Sequence, residues 1–326
     1  MDERSCLVTG GTGFLGRRLV LRLLAAGWRV RVLSRRTPRE TGDLQADGVE
    51  VVQGDLSAPT DLGGIFEGLG VVFHLAGETR DPRRFEAVNV GGTRRLVVAA
   101  AAAGVRRVVH VSSVGVFGSS ESTVVTEATA CHPGNEYERT KLAGEQMAVE
   151  LAERRGLPLT VVRPANVFGD GDPQRRLATL IRSVRAGRFF FLGRGDAMLN
   201  YVYVEDVAEA CRLLAARPGA AGQAYVVSDP CPLSEFVECI ADELDVPVPA
   251  RRMPLALAAP VAAASELASF ALRRPVGLTR GRARAARSRQ IFSADKLRAE
   301  VPGWPPVGWR EGLRRVVAWY RASGII

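Results

Sequence analysis

The chain reads as an α/β protein: a doubly wound parallel sheet followed by a smaller, mainly helical carboxyl-terminal lobe. Three observations predict it. A short apolar strand, Leu7-Val8-Thr9, runs into the glycine-rich turn Gly10-Gly11-Thr12-Gly13-Phe14-Leu15-Gly16 and out into a helix. Strand-length apolar runs then alternate with helical segments up to about residue 165, the pattern of parallel strands joined by crossover helices. Beyond that point the texture is less regular, with Pro- and Gly-rich joints near 169–173, 217–222 and 302–308. A chain of 326 residues, 47% of them hydrophobic, can bury a substantial core, and it shows no internal repeat or low-complexity linker.

The first helix carries Leu15, Leu19, Leu23 and Leu24 on one face. Glycine at 10, 13 and 16 permits a tight turn, close approach of backbone to a pyrophosphate, and close packing of helix on strand. The helix N-terminus offers unpaired N–H groups to phosphates. In this position the triplet predicts a Rossmann-type dinucleotide site built on Gly10, Thr12, Gly13, Phe14, Leu15 and Gly16. The second strand ends Val30-Arg31-Val32-Leu33-Ser34-Arg35-Arg36. An NAD enzyme usually places an acid there to hold the adenosine ribose 2′-hydroxyl, whereas a serine and two guanidiniums suit a 2′-phosphate. NADP is therefore the expected cofactor, held at Ser34, Arg35 and Arg36, with NAD the alternative.

Farther along, Tyr137 and Lys141 stand four residues apart, and Lys141 is one of only two lysines among 44 basic residues. In a chain that uses arginine for nearly every cation, this lysine suggests a need for a compact ammonium. Such a group can lower the pKa of a nearby phenol, donate to a ribose hydroxyl and take part in proton relay. Tyr137 is the candidate general acid or base.

These residues, with several others in order, resemble the extended branch of the short-chain dehydrogenase/reductase superfamily, which includes nucleotide-sugar epimerases and dehydratases and 3β-hydroxysteroid dehydrogenases. The resemblance is carried by Thr9 to Gly16, Gly54-Asp55-Leu56, His74-Leu75-Ala76-Gly77, Asn89-Val90-Gly91-Gly92-Thr93 and Val111-Ser112-Ser113. It continues through the Tyr137/Lys141 pair, Arg163-Pro164-Ala165-Asn166-Val167-Phe168-Gly169 and Val204-Glu205-Asp206-Val207-Ala208. It implies an NAD(P)-binding domain over residues 1–165, rejoined by segments at about 195–228, and an interleaved substrate-binding lobe over 166–326. It also implies that Tyr137 takes a proton from a secondary alcohol while hydride leaves its carbon, or the reverse from a ketone. The nearby ammonium and the oxidised nicotinamide are together expected to bring the phenol towards neutrality. Ser113 polarises the substrate oxygen; its neighbour Ser112 points to the opposite side of the strand. By the same resemblance Asp55, Leu56, Leu75, Ala76, Gly77, Asn89, Tyr137, Lys141 and Pro164 join the cofactor site, and Asn166 and Asn200 join Ser113 as candidate substrate contacts.

Family members that bind diphosphate sugars carry an arginine ahead of an Asp-Phe-Val-Tyr-Val segment; here Leu199 stands in its place, and a leucine cannot pair with phosphate. A lipophilic, sterol-like alcohol or ketone is thus the first reading of the substrate. A nucleotide-sugar epimerase, dehydratase or 4-ketoreductase is the alternative, and a catalytically silent nucleotide-binding regulator is the reading from another class.

Five cysteines without a CxxC pair read as reduced thiols, and three histidines in no clustered motif argue against a metal site. Met1-Asp2-Glu3-Arg4 leads straight into the first strand, so a cytoplasmic location is expected. The net charge is +9, and the densest basic run is Arg273, Arg274, Arg280, Arg282, Arg284, Arg287 and Arg289. No aromatic residue interrupts that run to stack bases, so no nucleic-acid partner is expected. Pro254 to Leu272 is nearly all apolar and rich in alanine; it reads as buried helix or a flap over the substrate pocket, or, with the arginines after it, as a peripheral contact with an anionic bilayer. The resemblance implies a homodimer formed through helices near 84–103 and 137–155.

Overall fold

The computed structural model describes residues 2–58, 62–118, 123–272 and 288–326. Its centre is a sheet of strands β1 (Asp2–Thr9), β2 (Arg29–Ser34), β3 (Glu50–Gln53), β4 (Leu69–His74), β5 (Arg107–Val111), β6 (Leu159–Pro164) and β7 (Ala224–Val227). The spatial order is β7-β6-β5-β4-β1-β2-β3, with every neighbouring pair parallel. The order reverses between β1 and β4, which opens a crevice at the carboxyl ends of those strands.

Among the described residues, the α-helices of eight residues or more are α1 (Phe14–Ala25), α2 (Thr93–Ala102), α3 (Glu136–Arg154), α4 (Ala178–Arg185), α5 (Val204–Ala216), α6 (Leu233–Leu244), α7 (Leu255–Leu272) and α8 (Gly308–Ala322). Both faces of the sheet are covered, which is why β4 and β6 are buried along their whole length instead of alternating with solvent. The two-residue period of a strand divides its side chains between two cores. Cys6, Val8, Phe73 and Val109 pack with Leu19 and Leu23 of α1 and Val207 and Leu214 of α5. Leu7, Val72 and Val108 pack with Leu96 and Val97 of α2 and Ala148 of α3.

After β6 the chain leaves the sheet and returns at β7. A third apolar core, with Ile181, Val184, Phe236, Ile240, Leu313 and Val317, joins α4, α6 and α8. Short pairings tie this lobe together: Asn166–Phe168 with Tyr201–Tyr203, and Phe191–Leu192 with Arg252–Met253. Ile291–Phe292 pairs with Val124–Val125, fastening the tail of the chain to the loop after β5.

Helix α7 departs from the expectation of burial. Ala258 and Ala262 pack inward beside Leu192 and Met253, but Leu255, Leu257 and Val261 are exposed. Among the described residues, no helix is long and apolar enough to cross a membrane. Arg273, Arg274, Arg280, Arg282, Arg284 and Arg287 lie outside the described residues; Arg289 is ion-paired with Asp196.

Candidate active site

The turn between β1 and α1 requires its glycines. Gly10 adopts φ +72°, and a Cβ there would stand 2.8 Å from the Ala76 backbone nitrogen. A Cβ on Gly16 would stand 2.0 Å from the Gly10 carbonyl oxygen, so any side chain would push α1 off the turn. Gly13 caps α1 without a side-chain acceptor, leaving the first-turn amides directed out of the helix end.

Above this turn lies a cavity of about 300 Å³. Of the predicted nucleotide-site residues, Gly10, Thr12, Gly13, Ser34, Arg35, Arg36, Asp55, Leu56, Leu75, Ala76 and Gly77 line it. Phe14 and Leu15 turn instead towards the core that joins α4, α6 and α8, and Gly16 is buried beneath the turn. Asn89, Tyr137, Lys141 and Pro164 are outside the lining. Asp55 is held in a local turn by the Ser57 N–H and hydroxyl, both at 2.8 Å, and pairs with Arg84 at 3.5 Å. Burial raises its pKa, but the bonds from Ser57 and the charges of Arg35 and Arg84 bring it below the usual range. Glu78, which the sequence reading passed over, also lines the cavity. Burial works against its ionisation, yet the backbone N–H groups of Arg80, Asp81 and Thr79 and the Arg35 guanidinium hold it ionised. Arg35 therefore acts on two carboxylates. The glycine cradle, the uncapped helix start and this cavity fit a dinucleotide.

The hydroxyl residues gather beyond the crevice. Ser113 follows β5, and its Oγ accepts a hydrogen bond from Gly115 N–H at 3.0 Å. Asn135 caps α3 by accepting from Glu138 N–H at 2.9 Å, which fixes where Tyr137 enters the first turn. Tyr137 is half-buried, has the Ser113 side chain close enough to act on its phenol, and meets Phe85 edge-on at 5.7 Å between ring centres. One turn later Lys141 is buried, and its Nζ donates to the Val111 carbonyl at 2.9 Å. A Cβ added to Gly77 would lie 3.8 Å from that Nζ, so the ammonium sits against the cavity wall.

The electrostatics correct one expectation. Burial and the neighbouring Glu138 raise the Tyr137 phenol above its ordinary pKa, and only the Ser113 side chain lowers it. The ammonium of Lys141, turned to the Val111 carbonyl, is not among the groups that lower it. Lys141 itself is brought down to about 8 by burial, partly opposed by Glu145. Glu145 is buried in turn and bonded to Arg163 at 2.5 and 3.2 Å, with the guanidinium 5.0 Å from the centre of the Phe117 ring.

Behind the site runs a chain of polar groups whose donors can be assigned by elimination. Thr93 donates its hydroxyl hydrogen to the Asn89 carbonyl at 2.7 Å, so it can only accept from His74 Nε2 at 2.9 Å. His74 is then the Nε2–H tautomer, and its Nδ1 accepts from Thr9 at 2.7 Å; burial keeps the ring neutral. Thr9 in turn accepts from Ala76 N–H at 3.2 Å. The Asn89 side chain accepts from Glu78 N–H at 2.8 Å and donates to the Thr140 hydroxyl, which donates to the Tyr137 carbonyl at 3.0 Å. Asn89 thus couples the cavity wall to the helix that carries Tyr137. A Cβ on Gly144 would stand 2.2 Å from the Asn89 carbonyl oxygen, which is how closely α3 packs there.

Two substrate candidates fare differently. Asn166 is exposed at the start of its short strand. Asn200 is not free for a substrate: its amide donates to the Gln290 carbonyl at 2.8 Å and its oxygen accepts from Phe292 N–H at 2.9 Å, so it clasps the tail strand. Pro164 is buried at the end of β6. Ser112 is buried and separate from the Ser113–Tyr137 pair.

The sequence profile of the NAD dependent epimerase/dehydratase family matches residues 6–228. Sterol demethylase protein B of Methylococcus capsulatus is 33% identical over 98% of this chain and 99% of its own length. The 3beta-hydroxysteroid-dehydrogenase/decarboxylase isoform 1 of Arabidopsis thaliana is 30% identical over 97% of this chain and 79% of its own length. Among solved structures, DesIV, a dTDP-glucose 4,6-dehydratase of Streptomyces venezuelae with NAD and TYD bound, superposes with a TM-score of 0.72 at 26% identity, covering 98% of this chain and 97% of that one.

Proposed function

The chain belongs to the NAD dependent epimerase/dehydratase family of extended short-chain dehydrogenases/reductases, and we propose that within it this enzyme interconverts a secondary alcohol and a ketone on a lipophilic, sterol-like substrate, preferring NADP. The observation that carries the reading is that Ser113 and Tyr137 stand together, with Lys141 against the wall of the nucleotide cavity. A nicotinamide nucleotide, held by the glycine turn and by Ser34, Arg35, Arg36 and Asp55, supplies the hydride chemistry when bound. The chain's own residues handle the proton and the geometry. Tyr137, kept protonated at neutral pH by its burial, donates to a ketone oxygen and accepts the proton back from an alcohol. Ser113 orients that oxygen, and Lys141 is placed to donate to a ribose hydroxyl. Leu199 and the names of the sterol relatives support a lipophilic substrate. The test is consumption of NADPH on a panel of sterol-like and other lipophilic ketones. Turnover of a nucleotide sugar, with none on that panel, would replace this reading with the second one, which the likeness to DesIV favours.

With its pKa near 8, Lys141 loses its charge just above neutrality, so kcat/KM for ketone reduction should hold level to about pH 8 and fall above it. In Lys141→Arg, whose cation does not titrate there, that limb should disappear from the pH profile. Arg35→Ala removes a charge-assisted contact to a 2′-phosphate, for an expected rise of about 10- to 100-fold in the Kd of NADPH and little change for NADH. Fluorescence titration with both nucleotides measures this; equal losses for the two would rule out the NADP preference.

A further inference from the structure

Among the described side chains of α7, up to Ala264, the outward face carries no polar residue. Leu257, Pro260, Val261 and Ala264, spaced i, i+3, i+4, i+7, are all exposed, while Ala258 and Ala262 face inward. A surface helix ordinarily places charged side chains on the stripe opposite its buried one. Leu257 is 49% exposed and Val261 36% exposed, so the apolar atoms are presented to solvent and not tucked against the lobe. The patch runs on from the start of the helix to the segments beside it. Leu255, itself exposed, lies over Gly193, where an added Cβ would meet its Cγ at 2.9 Å. The paired segments Phe191–Leu192 and Arg252–Met253 run alongside, next to exposed Phe190.

Arginines edge this apolar surface. Arg188, Arg194, Arg251 and Arg252 are exposed, and Arg252 lies 5.6 Å from the Phe191 ring centre while donating to the Arg194 carbonyl. No aspartate or glutamate occurs from 246 to 265, and Asp196, the acid of the neighbouring turn, is already paired with Arg289.

We propose that this face docks on an anionic lipid bilayer, with Leu255, Leu257 and Val261 entering the headgroup boundary and Arg188, Arg194, Arg251 and Arg252 meeting the lipid phosphates. The apolar area alone would equally suit a second copy of the chain. The arginines decide between them: a two-fold pairing would set this net cationic edge against itself, whereas an anionic surface complements it. The inference does not depend on the identity of the substrate.

The test is co-sedimentation of the full chain with phosphatidylcholine vesicles, with and without phosphatidylglycerol as a third of the lipid. Binding is expected to the anionic vesicles only, and to weaken as salt rises from about 0.05 M to about 0.5 M. Arg251→Ala with Arg252→Ala should lower the partition coefficient about 25-fold, at about fivefold per arginine. Leu257→Asp with Val261→Asp should abolish binding while nucleotide affinity and the thermal midpoint stay unchanged, since these side chains are exposed. No binding to anionic vesicles at low salt, or equal binding by both variants, would overturn the proposal. So would a wild-type dimer that Leu257→Asp with Val261→Asp converts to monomer in sedimentation, because the patch would then be a self-association surface.

Discussion

Replacing Tyr137 by phenylalanine is expected to lower kcat by about 10²- to 10⁴-fold, the usual contribution of a positioned general acid or base, with little change in nucleotide affinity. The substitution removes one oxygen. The ring keeps its edge-on contact with Phe85, Asn135 still caps the helix, and Lys141 still bonds to Val111, so the fold and the cavity wall are retained. Steady-state rates with saturating NADPH, alongside a nucleotide titration, separate the two quantities. Ser113→Ala should give a smaller loss in kcat and should also take away the one group that lowers the Tyr137 pKa, moving the phenol further from neutrality. A Tyr137→Phe enzyme with undiminished turnover would remove Tyr137 from the chemistry altogether.

The largest loss of stability is expected from Glu145→Ala. The side chain of Arg163 is only 10% exposed, and Glu145 supplies both of its charge-assisted hydrogen bonds. Removing the carboxylate leaves a guanidinium buried without its counter-charge, which costs about 3–5 kcal/mol, whereas replacing both partners by apolar residues of similar size is close to neutral. Denaturant unfolding of Glu145→Ala and of the double variant Glu145→Leu with Arg163→Met should therefore differ sharply, the double variant being the more stable. There is also a functional consequence. Glu145 partly opposes the burial that depresses the Lys141 pKa, so its loss should carry the descending limb of the pH profile from about 8 towards neutrality. If Glu145→Ala is as stable as wild type, the pair is not the buried anchor of α3 on β6.

The parts of the site that were legible in the sequence are those whose chemistry is compressed into a few residues. The turn from Gly10 to Gly16 is set by backbone sterics inside one loop, and Tyr137 and Lys141 share a helix turn, so spacing alone places them. Ser34, Arg35 and Arg36 reach the cavity because they stand at and just past the carboxyl end of β2, which pairs with β1 beside the crevice. Features that depend on distant residues were not legible. His74 takes its tautomer from Thr9, 65 residues away, and Thr93, 19 residues away, and neither partner announces itself in a motif. Glu78 directly follows the recognised Gly77, and an acid at the end of the fourth strand was a signal that could have been read as a cavity residue. Asn200 sits where a substrate contact was expected, but strand pairing with residues that arrive 90 positions later claims its amide. The tyrosine's electrostatics were misjudged for the same reason: the direction depends on burial against Phe85 and on where the Lys141 ammonium turns, and both are tertiary facts. Helix α7 shows the limit of composition, since an alanine-rich apolar run looks buried, yet among its described side chains Ala258 and Ala262 are buried while Leu255, Leu257 and Val261 are exposed.

The central proposal is that the enzyme exchanges its nucleotide each cycle while reducing or oxidising a lipophilic substrate. Mass spectrometry of the small molecules released on denaturing the freshly purified protein tests it most directly. NADP(H), or no nucleotide at all, is expected. A full complement of NAD carried through purification would contradict it and point to a nucleotide-sugar epimerase or dehydratase that recycles a permanently held cofactor.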